Sequence, residues 1–167
     1  MQASSTVYQL KNRLERTRYY MGGYWVFLAT AADTGGRFSL IEANLRQGME
    51  PPAHVHTYED ESFQLLEGEI EFIADGKPYL LKAGEFLHLP IGVHHTFKVL
   101  SPTAVVLIHL VPAGLEAMFL ELSQPATELD YPPAPAGPPP AEWLARVAQL
   151  QQKFGIRHMD NRQIKAQ

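Results

Sequence analysis

A chain of 167 residues, 46% of them apolar and with a net charge of −4, is large enough for one folded domain plus some additional segments. The mild charge, with no basic stripe interleaved with aromatics, argues against a nucleic-acid partner. The longest apolar stretch, 104–111, is interrupted by His109 and too short for a membrane span. Cysteine is absent, which excludes disulfides and thiolate metal sites and makes a cytoplasmic location the expectation; residues 1–20 lack the unbroken apolar core of a signal peptide.

Residues 1–21 read as an N-terminal arm, with a short helical piece around 7–16 where Leu10 and Leu14 sit four apart. Residues 24–30 are rich in aromatic and β-branched side chains and predict a strand. Asp33-Thr34-Gly35-Gly36 predicts a turn, and 37–45 a second strand. The Gly48-Met49-Glu50-Pro51-Pro52 turn then delivers His54-Val55-His56. Thr57-Tyr58-Glu59-Asp60 is a polar cluster that reads as a loop, with Glu59 and Asp60 as solvated charges. Six more short strands follow, at 61–66, 70–73, 77–82, 85–89, 94–100 and 103–111, each closed by a turn signal such as Asp75-Gly76 or Pro90-Ile91-Gly92. Short strands punctuated this regularly predict an all-β sandwich or barrel, in which Tyr24, Phe63, Phe72, Phe86 and Phe97 line or fill the interior.

After Pro112 the pattern changes. Leu115, Met118, Phe119 and Leu122 follow helical spacing and predict a helix over 114–122. A proline-rich connector spans 125–140. Trp143, Leu144, Val147 and Leu150 predict a helix over 141–154, ended by Gly155. Helices this short must dock on the β domain or on another subunit, and the residues after Arg157 are expected to be disordered. The chain therefore divides into an arm (1–21), a barrel (22–112) and a helical extension (113–167).

Two blocks carry chemistry. In the first, Gly48 is followed by five residues, His54-Val55-His56, four residues, Glu61, six residues and Gly68; in the second, Gly84 by five residues, Pro90-Ile91-Gly92, two residues and His95. Alternate side chains of a strand share a face, so His54 and His56 project together as a two-toothed clamp for a divalent transition metal. A strand beginning at Glu61 puts that carboxylate on the side of Phe63 and Leu65. His95 shares parity with Phe97 and Val99, whereas His94 shares it with Thr96 and Lys98, so His95 faces inward and His94 outward. Glu61 suits either a metal ligand or a carboxylate that orients a ligating histidine. His88 shares parity with Phe86 and reads as a satisfied core histidine or as a group near the metal.

The two blocks resemble the paired motifs of the cupin superfamily, and the resemblance covers residues from about 22 to 112. The first block fits at every defining position. The second fits through Pro90, Gly92 and His95 and departs at Val99, where the family usually has an asparagine that is not a ligand. Among cupins the chain is most similar to the small single-domain group related to quercetin 2,3-dioxygenase, through Glu59-Asp60-Glu61-Ser62-Phe63, Pro90-Ile91-Gly92-Val93-His94-His95 and the run 111–119. The resemblance implies an all-β fold, the cupin double-stranded β-helix or jelly-roll barrel, here with short C-terminal helices. It also implies one divalent transition metal ion per chain held by His54, His56, Glu61 and His95, and a homodimer.

By the same resemblance the chain is expected to be a metal-dependent dioxygenase acting on a flavonol-like or other small enolisable aromatic compound, with Glu61 as the catalytic base. Iron, manganese, cobalt, nickel, copper and zinc all suit this ligand set. Two other readings stand beside it: a cupin isomerase or epimerase working by proton transfer, and a non-catalytic cupin that binds metal and a small molecule. A phosphorylated substrate would call for several inward cations, and the barrel region offers only Arg37, Arg46, Lys77, Lys82 and Lys98, with no cluster.

Overall fold

The computed structural model describes residues 7–134 and 137–158. Strands β1 (Thr17–Tyr20), β2 (Gly23–Ala29), β3 (Ser39–Arg46), β5 (Asp60–Glu67), β8 (Phe86–Leu89), β10 (Thr103–Val111) and β11 (Gln124–Pro125) form one antiparallel sheet in the order β11-β1-β2-β3-β10-β5-β8. Strands β6 (Glu69–Ala74), β7 (Lys77–Lys82) and β9 (His95–Val99) form a second, ordered β7-β6-β9, and β4 (Val55–His56) pairs with β12 (Ile156–Arg157). A single antiparallel bridge, His54 to His95, ties the β4–β12 ladder to β9. The second face of the jelly roll therefore runs β7-β6-β9-β4-β12, and its weakest seam lies between the two segments that carry the histidines. Hydrogen bonding runs within each sheet rather than around a closed ring, so the expected barrel is an open one.

The core follows from two-residue alternation. Ile41, Ala43 and Leu45 of β3, Phe63 and Leu65 of β5, Ile70, Phe72 and Ala74 of β6, and Ala104, Val106, Ile108 and Leu110 of β10 are all buried. Phe72 is fully enclosed, its ring centroid 4.7 Å from that of Phe63 and 5.5 Å from that of Phe97. Two of the aromatics expected inside are not there. Phe86 is 63% exposed because the buried residue of edge strand β8 is Leu89, with Leu87 beside it on the core side. Tyr24 is half-buried against Tyr131, and the inward face of β2 belongs instead to Trp25, Phe27 and Ala29. His88 shares the outer face of Phe86, where its Nδ1 lies 2.9 Å from Ser62 Oγ; it is neither a core histidine nor near the clamp.

The arm is shorter than expected, since Thr17–Tyr20 joins the sheet and only Leu14–Arg16 makes a helical turn, of the 3-10 type. The Asp33 turn contains a short helix, α1 (Ala31–Thr34), started by a reciprocal cap between Thr30 and Asp33 and ended by Gly35 in the left-handed region. Helix α2 (Glu116–Leu122) buries Met118 and Phe119 against Tyr20 and Trp25 of the first sheet. Helix α3 (Ala141–Lys153) is exposed along most of its length, anchored by Leu150 and by an ion pair from Arg146 to Glu121 of α2. Connector residues 135 and 136, and most of the segment after Arg157 for which disorder is expected, fall outside the described residues. His158 is described, and it docks beside the first histidine block.

Arg18 staples α2 to β1: its guanidinium donates to Ser123 Oγ at 3.1 Å and to the carbonyls of Ser123 and Leu120 at 2.8 and 3.3 Å. Arg18→Ala leaves those half-buried carbonyls short of a donor and is expected to lower unfolding stability by about 2 kcal/mol. Urea denaturation of the two proteins checks this, with unchanged midpoints as the contrary result.

Candidate metal centre and its pocket

Each predicted donor arrives at one point. His54 and His56 flank Val55 at the start of β4, Glu61 is the second residue of β5, and His95 opens β9. One ligand atom from each of the four lies within 4.8 Å of all the others. His54 Nε2 is 3.1 Å from His56 Nε2, and Glu61 Oε2 is 3.4 Å from His56 Nε2 and 3.2 Å from His95 Nε2. His56, Glu61 and His95 are buried, and His54 is partly so. Glu61 is buried on the side of Phe63 and Leu65, and His95 is buried while His94, expected to face outward, is half-buried with its Nε2 enclosed.

The backbone sets the direction in which two rings face. His54 Nδ1 lies 2.9 Å from the Pro52 carbonyl and His95 Nδ1 3.1 Å from the Val93 carbonyl, so each ring donates outward and presents the lone pair of Nε2 to the centre. Burial, together with the charges of His95 and His56, pushes His54 down to about 4, which leaves it the neutral imidazole a metal needs. Burial alone would raise Glu61, but the neighbouring imidazoles outweigh it and hold the carboxyl down at about 2. His56 is desolvated too, yet the Glu61 and Glu59 carboxylates keep it above its ordinary value. Glu61 thus favours positive charge beside it and His56 favours carrying it, while His54 stays neutral.

A divalent cation fits these residues. His95 Nε2 is buried with no hydrogen-bond partner and aims at the other three donors. Three imidazoles and a carboxylate, with no lysine or arginine ion-paired to them among the described residues, place lone pairs against lone pairs unless a cation lies between them. The ligand set matches a borderline divalent transition metal.

Sequence reasoning missed one residue of the cluster. Glu59, expected as a solvated loop charge, is only 4% exposed, and its Oε2 lies 3.6 Å from His56 Nδ1. The available signal was its position three residues after His56, which a tight turn folds back on the ring. Asp60 behaves more nearly as expected, being half-buried and accepting from Ile91 N–H at 2.8 Å.

The donors line a cavity of about 80 Å³ that opens to solvent. Tyr20, Trp25, Phe63, Phe97 and Phe119 supply aromatic walls, and Met21, Met49 and Met118 adaptable ones. Arg46 is the one cation among the lining residues described, and its guanidinium sits 5.1 Å from the Tyr131 ring centroid. The C-terminal segment closes one side through Gln151, Ile156 and His158.

An open antiparallel jelly roll with a His-His-Glu-His cluster facing its interior is the architecture of a cupin. Residues 42–111 match the family model of the cupin domain. The chain is 24% identical over 106 residues to quercetin 2,3-dioxygenase of Bacillus subtilis, covering 64% of this chain and 32% of that enzyme. It is 33% identical over 84 residues to polyketide synthase CurC of Streptomyces cyaneus, covering 50% of this chain and 53% of that protein. The chain thus spans about a third to a half of these relatives. Among solved structures, the Streptomyces nucleoside dehydratase Pac13 superposes with a TM-score of 0.54 at 11% identity, over 67% of this chain and 88% of its own. That likeness concerns the fold alone.

Proposed function

We propose that this chain is a metal-dependent dioxygenase of the quercetinase type, acting on a flavonol-like or other small enolisable aromatic compound. The observation that carries the proposal is that four donor atoms within 4.8 Å of one another form the floor of a cavity walled by aromatic rings. The relatives named quercetin 2,3-dioxygenase support this reading. His54, His56, Glu61 and His95 would hold one ion of iron, manganese, cobalt, nickel, copper or zinc. When bound, that ion supplies Lewis acidity that lowers the pKa of an enol or phenol oxygen and gives dioxygen a place beside it.

The rest falls to the protein. Aromatic walls stack a planar substrate and exclude water, which strengthens every charge interaction at the floor. Glu61, buried at the floor of the cavity, takes the hydroxyl proton of a substrate whose own acidity the bound ion would raise. The methionines let the walls adjust to ring systems of different outline. A single lining arginine, already engaged with Tyr131, argues against a phosphorylated substrate.

The test is oxygen consumption by protein reloaded with each metal in turn, with quercetin and a panel of catechols and β-diketones. Uptake that disappears in His54→Ala is the expected result. Solvent exchange of a substrate proton without oxygen uptake would mark an isomerase, and tight ligand binding without either would mark a non-catalytic binder; each overturns the proposal.

A further inference from the structure

The geometry points to Glu59 as a positioning residue that orients His56 and makes it the most electron-rich of the three imidazoles; this rests on the reading of the four-residue cluster as a metal centre. The three rings are not held alike. His54 and His95 each turn Nδ1 to a backbone carbonyl, of Pro52 and of Val93. His56 has no such carbonyl. Its Nδ1 is buried without a hydrogen-bond partner, and so is Glu59 Oε2, the acceptor 3.6 Å away.

These two orphans face each other with complementary chemistry. Glu59 is 4% exposed and forms no ion pair with a lysine or arginine among the described residues, which leaves His56 as the charge-complementary group recorded beside its buried Oε2. Two buried polar groups facing each other just beyond hydrogen-bond length satisfy both by closing that gap, and closure fixes Nδ1 as the protonated nitrogen and Nε2 as the donor to the centre. A carboxylate behind an imidazole also strengthens it as a ligand more than a carbonyl does, because the accepting group carries full negative charge. Counted together, Glu59 and Glu61 place two negative charges around a dication, which leaves the filled site neutral overall.

Two variants separate charge from contact. Glu59→Gln keeps the size and an accepting oxygen but removes the charge, and Glu59→Ala removes both. Zinc affinity, measured by competition with a chromophoric chelator, is expected to weaken about 10-fold in Glu59→Gln and about 100-fold in Glu59→Ala. The fully loaded cobalt form of Glu59→Gln is expected to show shifted visible absorption bands, a readout that a merely structural role would not move. Wild-type zinc affinity in both variants, or a cobalt spectrum identical to wild type, overturns this assignment alone. Should Glu59→Ala fail to fold, the Glu59→Gln affinity and spectrum decide the matter by themselves. A wild-type chain that takes up none of these metals overturns the metal reading, and this assignment with it.

Discussion

Glu61→Gln is expected to fold like wild type and to turn over substrate about 10²- to 10⁴-fold more slowly even when fully loaded with metal. The amide preserves the volume of a buried side chain, so Phe63 and Leu65 on the same face of β5 keep their packing. What it removes is the one buried carboxylate whose oxygen faces both His56 and His95, at 3.4 and 3.2 Å. Metal affinity falls as well, because a neutral oxygen donor replaces a charged one. The two losses are separated by measuring kcat at saturating metal, after confirming occupancy by elemental analysis. A kcat within a few-fold of wild type at full occupancy would show that the proton goes elsewhere and that Glu61 only holds the ion. A slow variant with normal occupancy and normal substrate affinity is the signature of a base.

Most of this four-residue cluster was legible in the sequence because the physics that places it is short-range. Strand alternation decides which neighbour of Val55 points where, and the parity of His95 against Phe97 and Val99 is a local property of β9. Glu61 needed one further step, the recognition that a loop restarts the alternation. The structure shows β5 beginning one residue earlier, at Asp60, with the parity unchanged. The failures are equally physical. Whether Tyr24 or Trp25 faces the core depends on α2 and its Phe119 packing over β2, a contact formed by residues nearly a hundred positions away. Phe86 sits on an edge strand, where two-sided burial does not apply and hydrophobicity does not report the inward face. Glu59 looks solvated because its neighbours in sequence are polar, yet the turn folds it back on His56, in a stretch where chain from far along the sequence docks through Gly155 on Thr57.

That distant chain is the basis of the second large effect. Strand β12 is only two residues long and carries no signal of its own, yet it pairs Ile156 with His56 and Arg157 with Val55, directly behind the clamp. The approach depends on Gly155. Its φ of +72° is left-handed, and a Cβ placed there would lie 2.3 Å from Thr57 Oγ1 and 2.7 Å from the Tyr58 ring. Thr57 seals the contact, donating to the Gly155 carbonyl from its backbone N–H at 3.2 Å and from Oγ1 at 2.8 Å. His158 then reaches the Ala53 carbonyl with Nδ1 at 3.1 Å, one residue before the first ligand candidate.

Gly155→Val adds a β-branched side chain to a left-handed position, costing about 1–3 kcal/mol in backbone strain before the clash with Thr57 and Tyr58 is counted. The ladder it disrupts has two residue pairs, too few to absorb that cost, so 155–158 is expected to detach while the sheets stay folded. Detachment removes Ile156 and His158 from the cavity wall and frees His56 from its strand partner. The expected result is faster amide exchange confined to β4 and β12, metal affinity reduced by about 10-fold or more, and a raised KM for an apolar substrate. Faster exchange with unchanged metal affinity would show that β9 and β5 alone hold the donors in place through the His54–His95 bridge. The C-terminal segment would then be a wall of the pocket and not a brace for the metal centre.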